Sequence, residues 1–259
     1  MLAEERRQHI LSLLHQQGSA RTMELARRFN VSDQTIRRDL QELEVLGLII
    51  KSHGGGSLIN WDGASFRDRT LANREEKLSI AATAARLVKP GMTVVLGPGT
   101  TTEAVAHGID GMSITLVTNS LAVARAIASR ETEVLLTGGR YRSEAELTVG
   151  DWTELNLARL FADISFIGVS GIDADSGYTV TEEDEALALR HCIRVAKKAV
   201  VVADASKFER VAKASVAPLG AVHLLVSDEG LPGDWHIRLE ASGVEVVISG
   251  DMTSEGGSG

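Results

Sequence analysis

The chain has 259 residues, 44% of them hydrophobic, with 27 Lys/Arg against 35 Asp/Glu and a single cysteine. Those numbers suit one large or two ordinary domains with a real core. They exclude an internal disulfide, and no apolar run approaches the roughly 20 residues that a membrane-spanning helix needs. The lone cysteine, Cys192, and the charged start MLAEERRQHI fit a cytoplasmic protein with no membrane partner. The thiol reads as a core group, not a nucleophile. The net charge of −8 is unevenly spread: residues 1–60 carry 8 Lys/Arg and 7 Asp/Glu, and residues 61–259 carry 19 and 28. An acidic total argues against nucleic acid, but the near-neutral first segment points to a division of labour.

In that segment Ile10, Leu11, Leu13 and Leu14 have helical spacing, and Gly18 closes the helix. Thr22 is expected to cap a short second helix, MELARRF. Asn30 and Val31 make a tight connection, and Ser32 caps a third helix with Asp33 in its first turn. Ile36, Leu40, Leu43 and Leu46 form one apolar stripe along it, and Gly47 stops it. This is the layout of a helix-turn-helix, whose last helix enters the DNA major groove.

Gln34, Thr35, Arg37 and Arg38 lie off the apolar stripe. Gln reads adenine and Arg reads guanine, while Thr and Arg also hold phosphates. Neighbouring helical residues diverge by about 100°, so Arg37 and Arg38 are expected to divide between groove floor and phosphate strand. The plain alternative is a solvated face on which they pair with Asp33 or Glu42. The stretch LIIKSHGGGSL then predicts a wing: a strand over 48–51, and a tight turn of His53 and three glycines that carries Lys51 and His53 towards the backbone. The DNA-binding candidates are Thr22, Ser32, Gln34, Thr35, Arg37, Arg38, Lys51 and His53.

Residues 57–74 show no period and read as a linker, with Trp61 and Phe66 as packing anchors. Beyond them apolar strands alternate with helices. A helix is predicted over 77–87, a turn at Pro90-Gly91, and strands at TVVL (93–96), SITLVT (113–118), EVLLTGG (133–139), within ADISFIGVSGI (162–172), and at AVVVAD (199–204), HLLVSD (223–228) and VEVVIS (244–249). Helices follow in TEAVAHGI, in NSLAVARAIAS and over about 182–196. That pattern predicts an α/β domain with a mainly parallel sheet covered on both faces. Ligands of such folds bind at the carboxyl ends of the strands.

Four strand ends carry small or polar residues: Gly97 to Thr101, Thr118-Asn119-Ser120, Thr137-Gly138-Gly139-Arg140, and Asp204 with Ser206 and Lys207. Backbone N–H groups at a helix start suit a phosphate, and Lys207 adds a point charge. No GxGxxG and no Walker loop is present. The histidines show no HxH or HExxH spacing, so neither a metal site nor a cofactor is expected. The tail DMTSEGGSG reads as disordered.

The run TIRRDLQELEVLGLIIKSHGGG resembles the signature of the DeoR-type winged-helix repressors, with Gly56 where alanine is usual. GPGTTTEAVAHGI, VTNS, TGGR, GVSGIDADSG and ADASKFER are similar, in the same order, to the sugar-phosphate-sensing loops of that family. The resemblance implies a winged helix-turn-helix over 1–58, a linker over 59–74, and a ribose-5-phosphate-isomerase-like effector-sensing and oligomerisation domain over 75–250, before the tail at 251–259. It implies a pocket lined by Gly99, Thr100, Thr101, Asn119, Gly138, Gly139, Glu185 and Lys207. The partners it implies are double-stranded operator DNA, a phosphorylated sugar or polyol, and further copies of the chain in a dimer or tetramer. Two positions depart from the family: Gly97 stands where an acidic residue is usual, and Leu189 where a basic one is common. The rival readings are an isomerase-like enzyme with Glu185 or Asp173 as base, and a DNA-binding activator or adaptor indifferent to metabolites.

Overall fold

The computed structural model describes residues 19–45, 49–52, 54–58 and 66–250, together with residues 3, 6, 7, 9, 10, 13 and 14. The chain divides into two compact units, residues 1–73 and 74–259.

In the first unit the described residues from 3 to 14 are helical. They are followed by β1 (Ser19–Arg21), α1 (Thr22–Phe29), α2 (Asp33–Val45), β2 (Ile49–Ser52), β3 (Gly55–Leu58) and α3 (Phe66–Leu71). Ile10, Leu14, Leu25, Ile36, Leu40, Leu43 and Ile49 share one small core. Ile36, Leu40 and Leu43 are the expected stripe; its last member, Leu46, and the stop at Gly47 lie outside the described residues, as do Gly18, Trp61 and the tail. Asn30 closes α1 in the left-handed conformation with φ of 51°. The Ser32 hydroxyl accepts a hydrogen bond from the Thr35 amide at 3.2 Å, so Ser32 caps α2.

The structure corrects three expectations here. Thr22 is the first residue of α1 and is buried; the cap position falls on Arg21, with no side-chain cap bond. The wing is a three-stranded antiparallel sheet of order β1-β3-β2. Gly55 and Gly56 sit inside β3 and do not form its turn. Their value is closeness, since a Cβ on Gly55 would stand 2.1 Å from the Ala20 carbonyl oxygen of β1. Finally, the stretch read as linker contains α3, where the Arg69 guanidinium lies 5.5 Å over the half-buried Phe66 ring.

The second unit is a three-layer α/β structure. Seven parallel strands run in the order β15-β14-β12-β9-β4-β5-β6. They are β4 (Thr93–Leu96), β5 (Thr115–Thr118), β6 (Glu133–Leu136), β9 (Ala162–Ile167), β12 (Ala196–Val202), β14 (Leu224–Ser227) and β15 (Glu245–Ile248). Alternate strand residues feed two cores. Val94, Leu96, Phe166 and Val200 pack with helices α4 (Arg74–Ala85), α5 (Thr100–Ile109) and α6 (Leu121–Ala126). Val95, Ile167, Val201 and Leu225 pack with α7 (Asp151–Ala158), α8 (Glu183–Val195) and α9 (Trp235–Ala241). Both faces are thus covered, and the strands read as continuous apolar runs for that reason.

Within 162–172 the expected strand is β9, ending at Ile167; the chain restarts as β10 (Gly171–Asp173), which with β11 (Gly177–Val180) and β13 (Ala214–Ala217) makes a separate antiparallel sheet. A hairpin of β7 (Arg140–Arg142) and β8 (Leu147–Val149) follows β6. Neither these short strands nor α7 and α9 were expected from the sequence.

Candidate functional site

On α2 the buried residues Ile36, Asp39, Leu40 and Leu43 define the inward face. At about 100° per residue, the direction opposite carries Gln34, Arg38 and Gln41, spaced i, i+4, i+7 and all exposed. Arg37 lies on one flank of that stripe and Thr35 on the other. The two arginines do therefore point differently, with Arg38 on the outward stripe and Arg37 beside it. Neither is held in an ion pair among the described residues, so the pairing with Asp33 or Glu42 is not found. Glu42 is engaged by Arg7 instead.

The neighbouring aspartate of the motif has a different role. Asp39 is 3% exposed, and the Arg6 guanidinium grips it through Nε at 2.6 Å and Nη2 at 3.0 Å. That fork ties the first helix to α2 and holds the Arg6 guanidinium firmly protonated, chiefly through its hydrogen bond to Asp39. The wing is tied down as well. Glu44 accepts the Lys51 amide at 3.1 Å, and Lys51 Nζ donates to Gln41 Oε1 at 2.6 Å. Lys51 is half-buried against the helix. Ser32 is exposed and shares a 2.8 Å hydroxyl contact with Thr35. Thr22 gives its amide to the Gly54 carbonyl at 2.8 Å, and its side chain is buried. His53 lies outside the described residues. Gln41 was missed from the sequence, although its signal was there: it continues the i, i+4, i+7 spacing begun by Gln34 and Arg38.

In the second unit the chain runs outward from β4 through β5 to β6, then returns to β9 on the other side of β4. The strand order reverses between β4 and β9, which is where the carboxyl ends of an open parallel sheet leave a crevice. Gly97, Pro98 and Gly99 stand at the end of β4, facing Gly168 at the end of β9. The Gly97 amide donates to the Phe166 carbonyl at 2.9 Å, and a Cβ on Gly168 would come within 3.5 Å of the Pro98 oxygen. Gly168 was not singled out from the sequence, although a glycine directly after the apolar run SFI marks a strand end. Gly99 has a φ of 143° and starts α5 with no side-chain cap. The Thr102 hydroxyl donates to the Gly99 carbonyl at 2.9 Å. The amides of Thr100 and Thr101 belong to the first turn of α5, where a helix offers no intrahelical acceptor.

Next along the edge, Asn119 at the end of β5 is fully buried. Its Nδ2 donates to the Thr148 carbonyl at 2.8 Å, and its own carbonyl accepts the Thr148 amide at 2.8 Å. Its Oδ1 has no hydrogen-bond partner among the described residues, an acceptor that costs free energy while it stays unmatched. After β6, Gly138 offers its carbonyl to the Thr153 hydroxyl at 2.6 Å. Gly139 is pressed so close to α7 that a Cβ would lie 2.3 Å from Thr153 Oγ1.

Arg140 of β7 pairs with Asp184, and Arg142 reaches Glu182 at 3.7 Å. These pairs bring the N-terminus of α8, which carries Glu185, beside the loop of Gly138 and Gly139. Lys207 is buried in a short 3-10 turn over 205–207, whose start is fixed by Asp204 accepting the Ser206 amide at 3.1 Å and by Asp228 accepting the Ala205 amide at 2.7 Å. The named pocket residues therefore share one end of the sheet, distributed over the ends of β4, β5, β6 and β12 and the start of α8. Asp173 does not act with them. Its carboxylate caps a turn by accepting the Asp175 and Ser176 amides, and hydrogen bonding from Ser176 holds its pKa below the usual carboxylate value, which does not suit a general base.

The two positions that depart from the family pattern prove to be neighbours. A Cβ on Gly97 would lie 2.9 Å from Leu189 Cδ2 and 3.5 Å from Ile167 Cγ2. Glycine and leucine together make an apolar patch there.

The DeoR-like helix-turn-helix domain matches residues 6–61, and the DeoR C terminal sensor domain matches residues 72–229. The chain belongs to the DeoR family. Its relatives within the family include the HTH-type transcriptional regulator GlpR of Haloferax volcanii, 36% identical over 251 residues, which are 95% of this chain and 98% of the relative. They also include the glycerol-3-phosphate regulon repressor of Escherichia coli K12, 34% identical over 93% of this chain and 99% of the relative. Among solved structures, ribose 5-phosphate isomerase A from Methanocaldococcus jannaschii aligns over 52% of this chain and 55% of its own at 19% identity and a TM-score of 0.39. As a member of the DeoR family this chain is a transcription regulator. Among the described residues no helix is long and apolar enough to cross a membrane.

Proposed function

We propose that this protein is a cytoplasmic repressor of a carbohydrate or polyol catabolic operon, released from its operator by a phosphorylated sugar or polyol. Oligomers present several copies of α2 to repeated half-sites, because one short helix per chain gives little affinity alone. Arg38 and Gln34 read base edges, with Gln41 behind them, while Arg37, Ser32 and Thr35 meet phosphates. Thr22 supports the head from beneath, and Lys51 and His53 carry the wing towards the backbone. The effector phosphate takes the amides of Gly99, Thr100 and Thr101 with Lys207 nearby, and its hydroxyls meet Asn119 Oδ1, Glu185 and the loop at Gly138 and Gly139. Binding there favours an arrangement of heads that fits DNA less well, with a coupling of about 1–3 kcal/mol.

The observation that carries this reading is the outward stripe of Gln34, Arg38 and Gln41 on a capped helix, in a chain that also has a sensor domain with small and polar residues at successive strand ends. Gel shifts on the chain's own upstream region test it. The expected result is a sequence-specific, salt-sensitive complex, weakened about 5- to 150-fold by one phosphorylated polyol or sugar and untouched by its dephosphorylated form. Binding without sequence preference overturns the repressor reading, and indifference to every phosphorylated compound overturns the sensor reading.

A further inference from the structure

One face of α7 carries large apolar side chains that stand exposed. Thr153 and Leu157 are fully buried and turn that helix's inner side to the core, whereas Trp152 is 75% exposed and Leu155 is 54% exposed. At about 100° per residue, Asp151, Leu155 and Arg159 lie within one quadrant of the outer side, with Trp152 at its edge. Leu155 is midway, four residues after Asp151 and four before Arg159. Both charged residues are exposed, and no ion pair holds either among the described residues. A two-fold axis through Leu155 therefore brings the Asp151 of each copy to the Arg159 of the other, with leucine on leucine and tryptophan flanking the centre.

The adjoining surface has the same character. Asn156 of α7 donates to the Thr137 carbonyl at 2.8 Å, directly after β6. β6 is the last strand of the sheet, paired with β5 alone. Leu135 and Leu136 are 43% and 46% exposed, and since successive strand residues point to opposite faces, both sides of this edge are open. An uncovered edge strand beside an exposed tryptophan is a liability that soluble proteins manage by covering it.

We infer that the outer face of α7, with the adjoining edge at β6, is an isologous contact between two copies of this chain, centred on Leu155 and closed by two Asp151–Arg159 pairs. The occupant is a second copy because the charge pattern is self-complementary under a two-fold operation. An unrelated acidic or basic partner would match one end of the helix and be repelled by the other. The inference deepens the proposed assembly of several heads on one operator and rests on it for its biological sense.

Sedimentation velocity on the full chain over a range of concentrations tests it. Leu155→Arg is expected to weaken self-association at least about a hundredfold. Asp151→Arg and Arg159→Asp are each expected to weaken it about tenfold, because like charges are then opposed twice per contact. The double variant, Asp151→Arg with Arg159→Asp, is expected to recover most of the loss. A misfolded variant cannot imitate that recovery, and the thermal midpoint of each variant identifies unfolding directly. Wild-type association that survives Leu155→Arg or both single reversals overturns the inference and leaves the assembled repressor standing. So does a double variant as weak as the single ones. A wild-type chain that remains monomeric both free and on operator DNA overturns the inference together with the assembly.

Discussion

In residues 1–73, Arg6 and Arg7 are tied to Asp39 and Glu42, while Arg37 and Arg38, on the same helix as those acids, stand exposed and outside any ion pair among the described residues. In residues 74–259, Arg125, Arg140, Arg142, Arg190, Lys197 and Arg238 all close ion pairs within the unit. The head fixes α2 with two arginines from the first helix and leaves the two exposed arginines of α2 itself outside any ion pair among the described residues. The body pairs many of its cations locally and gathers amides and hydroxyls at the strand ends. Net charge alone would have assigned the whole molecule away from DNA. The local pairing pattern separates arginines that hold the fold together, such as Arg6, from those left exposed, such as Arg38.

The largest effect expected from this contrast is at the buried fork. Removing one partner, by Arg6→Ala or Asp39→Ala, leaves the other charge buried and uncompensated, at a cost of about 3–5 kcal/mol. In a domain this small that is most of the stability. The head should unfold well below the body in a urea titration, and operator binding should disappear with it. Replacing both partners by apolar residues of similar volume is expected to restore much of the stability. If Arg6→Ala leaves the head's unfolding midpoint in place, Asp39 is not held as the geometry implies.

A smaller effect separates the two exposed arginines. Arg38→Ala is expected to cost about 1–3 kcal/mol on the operator and to relax preference at one base pair, with little change on random DNA. Arg37→Ala should weaken specific and non-specific binding alike and reduce the salt slope by about one. Fluorescence anisotropy at several salt concentrations reads both. If the two variants exchange behaviours, α2 enters the groove rotated from the stripe described above.

Much of this was legible in the sequence, and the misses have physical causes. The central parallel strands announce themselves because burial on both faces makes each a continuous apolar run, as in TVVL or AVVVAD. α7 escaped because its sequence, DWTELNLA, turns only Thr153 and Leu157 to the core and leaves Trp152 and Leu155 outside, so its period is blurred. β10, β11 and β13 are three or four residues long and held by long-range pairing, which no local signal records. Thr22 reads as a cap by residue type, but β1 delivers the chain in extended form up to Arg21, and the hydroxyl turns inward. The candidate pocket was legible as a set of strand ends. What spacing does not encode is that Gly97 meets Leu189, because 92 positions separate them in the chain and only the folded sheet brings them together.

The smallest effect probes how firmly the body holds its own charges. The Asp163 carboxylate accepts Lys197 Nζ at 2.8 Å and the Thr93 amide at 2.9 Å. The Lys197 bond is the larger cause, and together they hold the carboxyl pKa below its ordinary value of 3.8. Lys197 is 78% exposed, so solvent screens the pair and Asp163→Asn is expected to cost under about 1 kcal/mol near neutral pH. A depressed folded-state pKa gives stability that is complete above the unfolded value. That stability drains away as pH falls through the lower folded value. Wild type and variant should therefore differ slightly in urea midpoint at pH 7 and converge as the carboxylate protonates below pH of about 3. A difference of equal size at both pH values would mean that the charge of Asp163 is not the source of its contribution.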